Sequence, residues 1–305
     1  MSWYQRISRA FSEAPEVPLY STSRFVLISD CHRGTGDHND NFLKNQNLYF
    51  AALNYYYERG FSYIELGDGD ELWENRSFSR IIDIHSNVFW LLREFKNKGR
   101  LYMLYGNHDQ SKRHCGYCRK HCSTYHASGQ ADEVPLFPDM CYLQGVILKD
   151  MEHGRDLYLT HGHQADFLNS TGSPAARFLV RYLWKPLEAL GVSDPTSAAR
   201  NYSRKKKVEK RLSDWALREQ KVLIAGHTHR PVFPHPGDCP YFNDGSCVHP
   251  QCITGIEIEN NAITLVKWLI SATPERLLFI ERQILDGPEP IDSYEKQITC
   301  TKNMK

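Results

Sequence analysis

Between residues 24 and 109 the chain repeats one pattern, and that pattern leaves few folds open. An apolar run of strand length ends on glycine, acid, amide or imidazole residues, and a segment with helical spacing follows. Arg24–Ser29 ends at Asp30. Residues 39–59 then place Phe42, Leu43, Leu48, Tyr49, Leu53 and Tyr56 at helical intervals, stopped by Gly60. Ser62–Leu66 ends at Gly67-Asp68. Ser77–Lys98 reads as a second helix, stopped by Gly99, and Arg100–Tyr105 ends at Gly106-Asn107. Strands separated by helices predict βαβ units and a parallel sheet. Such sheets bind ligands outside the carboxyl ends of their strands. Asp30, Asp68 and Asn107 all fall there.

Beyond residue 109 the pattern changes. Residues 110–140 read as an irregular segment rich in Cys, His and Gly. Tyr142–Lys149 and Asp156–Thr160 read as a strand pair, the second delivering His161. Residues 173–220 have helical spacing, and Lys221–Ala225 is a further strand that delivers His227 and His229. Cys252–Glu259 and Ala262–Trp268 form a hairpin about Asn260-Asn261. Residues 1–272 are thus expected as one domain with a helical insertion over 164–220 and a cysteine-rich loop over 110–140. Residues 273–305 are expected as a C-terminal extension.

Five short clusters carry the chemistry: Asp30-Cys31-His32, Gly67 through Glu71, Gly106 through Asp109, His161-Gly162-His163 and Gly226 through His229. A phosphate ester is anionic and repels hydroxide. Two divalent cations would neutralise its oxygens and acidify a water. Asp30, Asp68 and Asn107 with His32, His161, His227 and His229 form a mixed oxygen and imidazole set, which suits Mn, Fe, Zn or Co better than Mg or Ca. On an extended segment, residues two apart share a face, so Asp30 with His32, and His227 with His229, would each reach one metal. A lone strand-end Asp is usually a cap, and a lone His is usually a polar surface or core residue. That reading would have to hold at seven positions together.

The set resembles the calcineurin-like metallophosphoesterase superfamily, with its D-x-H, GD-x-x-[DE], GNH-[DE], H and GH-x-H motifs spread over residues 30–229. The resemblance implies a four-layer α-β-β-α sandwich. It implies a first metal on Asp30, His32, Asp68 and His229, with Asp68 bridging, and a second on Asn107, His161 and His227. It implies attack by a metal-bridging hydroxide, with His108 assisting the leaving group, Asp109 orienting its ring, and Glu71 in an outer acidic position. His163 is outside the family motif and reads as an alternative ligand, a substrate contact or a hydrogen-bonding support. Arg33 reads equally as a clamp on a phosphoryl oxygen or as a structural ion pair.

Within the superfamily the layout is similar to UDP-2,3-diacylglucosamine pyrophosphohydrolase and its relatives, which carry a helical lid and a Gly-His-Thr-His-Arg-Pro segment, here Gly226 through Pro231. His163 stands where those enzymes usually have Asp, and Gly-Asn-His-Asp where they often have Gly-Asn-Arg-Asp. Retention of His108 favours a phosphodiester or phosphomonoester, whose leaving groups need more help than a pyrophosphate's. In the expected lid, Arg177, Arg181 and Lys185 form a basic stripe, read as a grip on an anionic substrate or as a solvated face. A nuclease or cyclic-nucleotide phosphodiesterase is a third reading. The run Lys205–Lys207 allows it, while the interleaved aromatic and basic pattern of single-strand binders is missing.

The formal net charge of +1 gives no global field toward nucleic acid or membrane. With no apolar run near the ~20 residues of a spanning helix and no secretory leader pattern, the expectation is a cytoplasmic phosphohydrolase acting on a small or lipid-linked phosphate substrate. An N-terminal amphipathic segment bearing Trp3, Ile7 and Phe11 would pack on its own domain or touch a membrane surface. Nine cysteines are many for a compartment where disulfides are rare. Cys115, Cys118 and Cys122, together with Cys239, Cys247 and Cys252, would suit a structural zinc or an iron–sulfur cluster if their two loops meet. Reduced thiols are the plain alternative. Cys31, Cys141 and Cys300 carry no such pattern.

Overall fold

A computed structural model describes residues 1–37, 40–126, 133–166 and 202–294. Its strands are β1 (Glu16–Leu19), β2 (Arg24–Ile28), β3 (Ser62–Glu65), β4 (Leu101–Met103), β5 (Thr124–His126), β6 (Glu133–Pro135), β7 (Gly145–Asp150), β8 (Leu157–Thr160), β9 (Val222–Ala225), β10 (Tyr241–Asn243), β11 (Cys252–Glu259), β12 (Ala262–Ala272) and β13 (Leu278–Pro290). Its helices are α1 (Trp3–Ser12), α2 (Gln46–Glu58), α3 (Phe78–Ile84), α4 (Ser86–Asn97), α5 (Cys115–His121) and α6 (Tyr202–Glu219).

Two sheets face each other. One runs β13-β12-β11-β2-β3-β4 and the other β1-β7-β8-β9-β10. The expected parallel register holds for β2 with β3 and for β3 with β4, as for β8 with β9. Period-2 alternation explains the layering. In β2, Phe25 and Leu27 enter the core between the sheets, while Val26 and Ile28 face the opposite way and pack under α2 and α4. Helix α2 buries Leu48, Tyr49, Ala52, Leu53 and Tyr56 there, a stripe at helical spacing. On the outer face of the second sheet, α1 and α6 bury Ile7, Phe11, Leu212 and Trp215. The result is an α-β-β-α sandwich. Each fully buried Leu, Ile or Phe contributes about 1.5–3 kcal/mol.

Several expectations need correction. The segment Ser77–Lys98 is two helices, not one, divided at His85 (φ −106°, ψ 32°). The ring of His85 contacts Asp40 Oδ2 and Gln46 Oε1, each at 3.0 Å, and this pair of anchors turns the chain. Residues 115–121, read as irregular, form α5. The hairpin at Asn260-Asn261 has positive φ at both residues, as a type I′ turn requires, but its second strand runs on to Ala272. Residues 278–290 then pair along that strand as β13. Arg282 fastens β13 by donating to Glu257 Oε1 at 2.7 Å. The apolar face of α1 is already covered, with Phe11 against Tyr158 and Trp215. It is therefore not a free membrane-binding face. Among the described residues, no helix is long and apolar enough to cross a membrane. Most of the expected lid, including Arg177, Arg181 and Lys185, lies outside the described residues.

Candidate metal centre

Five strands from the two sheets end at one place. β2 leads to Asp30 and His32, β3 to Asp68, and the segment after β4 to Asn107 and His108. β8 leads to His161, and β9 to His227 and His229. The chain does not stay extended there. Asp30, His32, Asp68, His227 and His229 have φ of 52°, 51°, 50°, 70° and 54°. They are five of the eleven described non-glycine residues in the left-handed region, a conformation that non-glycine residues keep only when their surroundings enforce it. The convergence of Asp30 with His32 thus comes from left-handed turns and not, as the spacing suggested, from a shared strand face. Backbone bonds hold these turns: Asp30 N donates to Gly67 O at 3.0 Å and His32 N to Asp68 O at 2.9 Å. His227 N donates to Asp30 Oδ2 at 2.8 Å, and His108 N to Asp68 Oδ1 at 2.7 Å. Packing is tight enough that a Cβ on Gly106 would lie 2.1 Å from Asp68 Oδ1.

Two triads result. Asp30, His32 and His229 bring one ligand atom each within 4.8 Å of one another, and Asp68, His161 and His227 do the same. In the first, Nε2 of His32 and Nε2 of His229 are 3.3 Å apart, and His229 Nε2 lies 2.9 Å from Asp30 Oδ1. In the second, His161 Nε2 lies 3.1 Å from Asp68 Oδ2. The tautomer of His161 follows from its other nitrogen. Nδ1 meets the carbonyl of Leu66 at 3.0 Å, and a carbonyl only accepts, so Nδ1 carries the proton. Nε2 is therefore the nitrogen that gains a proton against Asp68 or, in the neutral ring, offers its lone pair to a cation.

The donor set fits metal ions. Asp30 Oδ1, both polar atoms of the Asn107 side chain, His161 Nε2 and His227 Nε2 are buried without a hydrogen-bond partner. Buried polar atoms in native proteins are otherwise almost always paired, and cations would satisfy the four acceptors in this set, Asp30 Oδ1, Asn107 Oδ1, His161 Nε2 and His227 Nε2. Electrostatics agree. Burial opposes ionisation of Asp30, but His229 and His161 hold its carboxyl well below the usual range. Asp68 is likewise pulled down, against its burial, by His161 and His108. Burial disfavours charge on His161, yet Asp68 and Asp30 raise it to about 9. His32 is raised by Asp30 and Glu71 despite burial. The acids thus draw positive charge onto His161 and His32, while burial lowers His229 despite Asp30, and bound cations would supply positive charge instead.

His108 sits beside the first triad. Its ring stacks on Trp73 at 4.4 Å and 22°, and meets His32 edge-on at 4.6 Å. Its Nδ1 lies 2.6 Å from Glu71 Oε2, an ion-pair contact rather than an aligned hydrogen bond. The same Glu71 oxygen lies 3.1 Å from His32 Nδ1. Asp109, expected to orient His108, points elsewhere: it accepts from Gly106 N at 2.7 Å and from Lys112 Nζ at 3.1 Å. The Asp109 side chain therefore braces the loop, and Glu71 occupies the place beside the His108 ring.

Other expected residues are placed differently too. Arg33 is fully buried and donates to Asp70 at 2.7 Å and to both Glu65 oxygens at 2.8 and 3.0 Å. It is a core ion pair and not a phosphoryl clamp. His163 is buried with its ring 5.4 Å from His161 and no hydrogen bond to Nδ1. Burial, with His161 and His227 nearby, keeps its ring neutral. The six cysteines do not gather. Cys239 lies by Ser213 O at 3.3 Å, Cys247 is buried beside Cys31, and Cys252 begins β11. Among the described residues, no three-ligand cluster contains a cysteine.

Sequence reasoning missed Trp73, Lys112, Asp166 and Asp244. Lys112 is buried between Asp70 and Asp109. Asp166 reaches both His227 and Arg204. Asp244 accepts from Ser29 Oγ at 2.8 Å, and that hydroxyl also contacts Asp30. Of these, only Trp73 had a local signal, two residues after the acidic motif.

Residues 23–231 match the family model described as calcineurin-like phosphoesterase. Among solved structures, that of Vps29 from Chaetomium thermophilum aligns over 88% of this chain and 99% of that one, with a TM-score of 0.38 and 9% identity. No curated protein sequence matches the chain.

Proposed function

From its membership of the calcineurin-like phosphoesterase family, we propose that this chain is a two-metal phosphohydrolase that cleaves a phosphodiester or phosphomonoester. The observation that carries the reading is the convergence of bare buried acceptors from five strand ends beside a histidine that is itself held in place. In this reading Asp30, His32, His229 and Asp68 hold one ion, and Asp68, Asn107, His161 and His227 the other. Such a pair, when bound, supplies Lewis-acid charge for phosphoryl oxygens and lowers the pKa of water. Mn, Fe or Zn suits these ligands.

The chain's own residues do the rest. Glu71 meets Nδ1 of both His32 and His108, so it steadies a ligand and the neighbouring ring together. Trp73 stacks on the His108 face and limits its rotation. With Nδ1 against Glu71, His108 offers Nε2 to the substrate, and its side chain is 24% exposed. As water adds to phosphorus, losing one proton to solvent, and the P–O bond breaks, His108 Nε2–H gives its proton to the departing oxygen. An ester leaving group gains most from that proton, which favours esters over the UDP-2,3-diacylglucosamine type of pyrophosphate.

The test is hydrolysis of bis-p-nitrophenyl phosphate and p-nitrophenyl phosphate with Mn, with chelator, and in His108→Ala. The reading expects Mn-dependent turnover of at least one ester and a loss of about 10²–10⁴-fold in His108→Ala. Equal rates in chelator, or an unchanged His108→Ala, would overturn it.

A further inference from the structure

Helix α5 carries Cys115 and Cys118, and Cys122 caps its C-terminus, so three thiols stand at i, i+3 and i+7. Their surroundings differ. Cys118 and Cys122 are buried, and Cys118 Sγ donates to Lys112 O at 3.0 Å. Cys115, in the first turn, is exposed. Its Sγ lies 3.3 Å from Sγ of Cys141, a second exposed thiol 26 residues further on. A disulfide needs an S–S distance of about 2.05 Å, so closing this pair takes a movement of about 1.2 Å. Both side chains are at the surface, where a rotation meets no packed core.

We propose that Cys115 and Cys141 form a dithiol–disulfide modification site, oxidised by a small-molecule disulfide of the glutathione type. The Cys115 thiolate attacks one sulfur of the oxidant, whose first half leaves and takes up a proton as a thiol. Cys115 then carries a mixed disulfide. Cys141 loses its proton and attacks Cys115 Sγ, and the second half leaves as another thiol. Two protein thiols become one disulfide while one small disulfide becomes two thiols.

Three features select this pair. The contact with Cys115 raises the Cys141 thiol, which fits Cys141 as the second thiol to react. Arg119 acts electrostatically on Cys141, and Arg113 and Lys120 are exposed on the same segment, positive charge that draws an anionic oxidant. By contrast, Cys31 with Cys247 and Cys118 with Cys122 also touch, but all four are buried. They are closed to exchange.

The cross-link would also secure the cysteine-rich segment. The ring of Tyr142, next to Cys141, lies 4.5 Å from Lys112 Nζ, and α5 touches Lys112 through Cys118. Closing residues 115–141 restricts the unfolded chain and raises the thermal midpoint.

The test treats the full metal-loaded chain with oxidised glutathione, then maps alkylated peptides by mass. The expected result is a Cys115–Cys141 cross-link, loss of both alkylation sites, reversal by dithiothreitol, and a rise in thermal midpoint that Cys141→Ser does not show. Stable separate mixed disulfides on the two cysteines would overturn the proposal. So would a cross-link between other cysteines, an equal midpoint rise in Cys141→Ser, or a zinc ion released when the two thiols are alkylated. The wild-type map decides the question even if the variant fails to fold.

Discussion

Oε2 of Glu71 lies 2.6 Å from Nδ1 of His108, while the carboxylate of Asp109, the next residue in sequence, is committed to Gly106 N and Lys112. The two acids therefore have separable effects. Glu71→Gln should lower kcat by about 10–100-fold with little change in the urea midpoint. Asp109→Asn weakens the loop's brace and should lower the urea midpoint. Kinetics and urea unfolding on both variants check this, and a reversed pattern would return the orienting role to Asp109.

Arg33 separates a core ion pair from a substrate clamp. Arg33→Met leaves Glu65 without its buried guanidinium and Asp70 with Lys112 alone, a loss on the order of 3–5 kcal/mol. Chemical unfolding should show that loss. A variant of wild-type stability with a raised KM would instead support contact with substrate.

Gly106→Ala should lower metal affinity by about 10–100-fold, because the added Cβ would meet Asp68 Oδ1 at 2.1 Å. Gly116→Ala is the control. Its Cβ meets nothing within 4 Å, and in α5 it should stabilise by about 0.5–1 kcal/mol. Metal titrations on the two variants should diverge, and equal affinities would refute the close-approach argument.

Asp40 gives a pH dependence away from the metal centre. Burial disfavours its charge, but His85 and the backbone N–H groups of Gly36 and Gly34 outweigh it, so its carboxyl is held below the usual range. A depressed carboxyl contributes stability that is full above its unfolded value near pH 4 and fades as pH falls through the folded value. Wild type should exceed Asp40→Asn in urea midpoint at pH 7, with the gap closing below about pH 4. A gap independent of pH would contradict the charge assignment.

The convergence of the candidate ligands was legible because these positions follow strand ends. Asp30, Asp68, Asn107, His161, His227 and His229 each come directly after an apolar run, and the sheets bring those ends together. What stayed hidden depends on contacts between distant segments. Sequence adjacency favoured Asp109 as the partner of His108, but Lys112 and Gly106 draw Asp109 aside. His85 broke an apparently continuous helix through anchors at Asp40 and Gln46, about forty residues upstream. Cys141 looked incidental because its partner is 26 residues away. The edge strand β13 alternates poorly, with Leu278, Phe279 and Ile280 all exposed. Its pairing is evident only from β12.

The central claim is that two ligand triads hold a metal pair, and metal content tests it most directly. Wild type, His108→Ala and Asp68→Asn would be loaded with Mn, dialysed and measured for metal per chain. The account predicts about two ions in wild type and in His108→Ala, with clear loss in Asp68→Asn. Full metal content in Asp68→Asn, or none in the wild type, would contradict it.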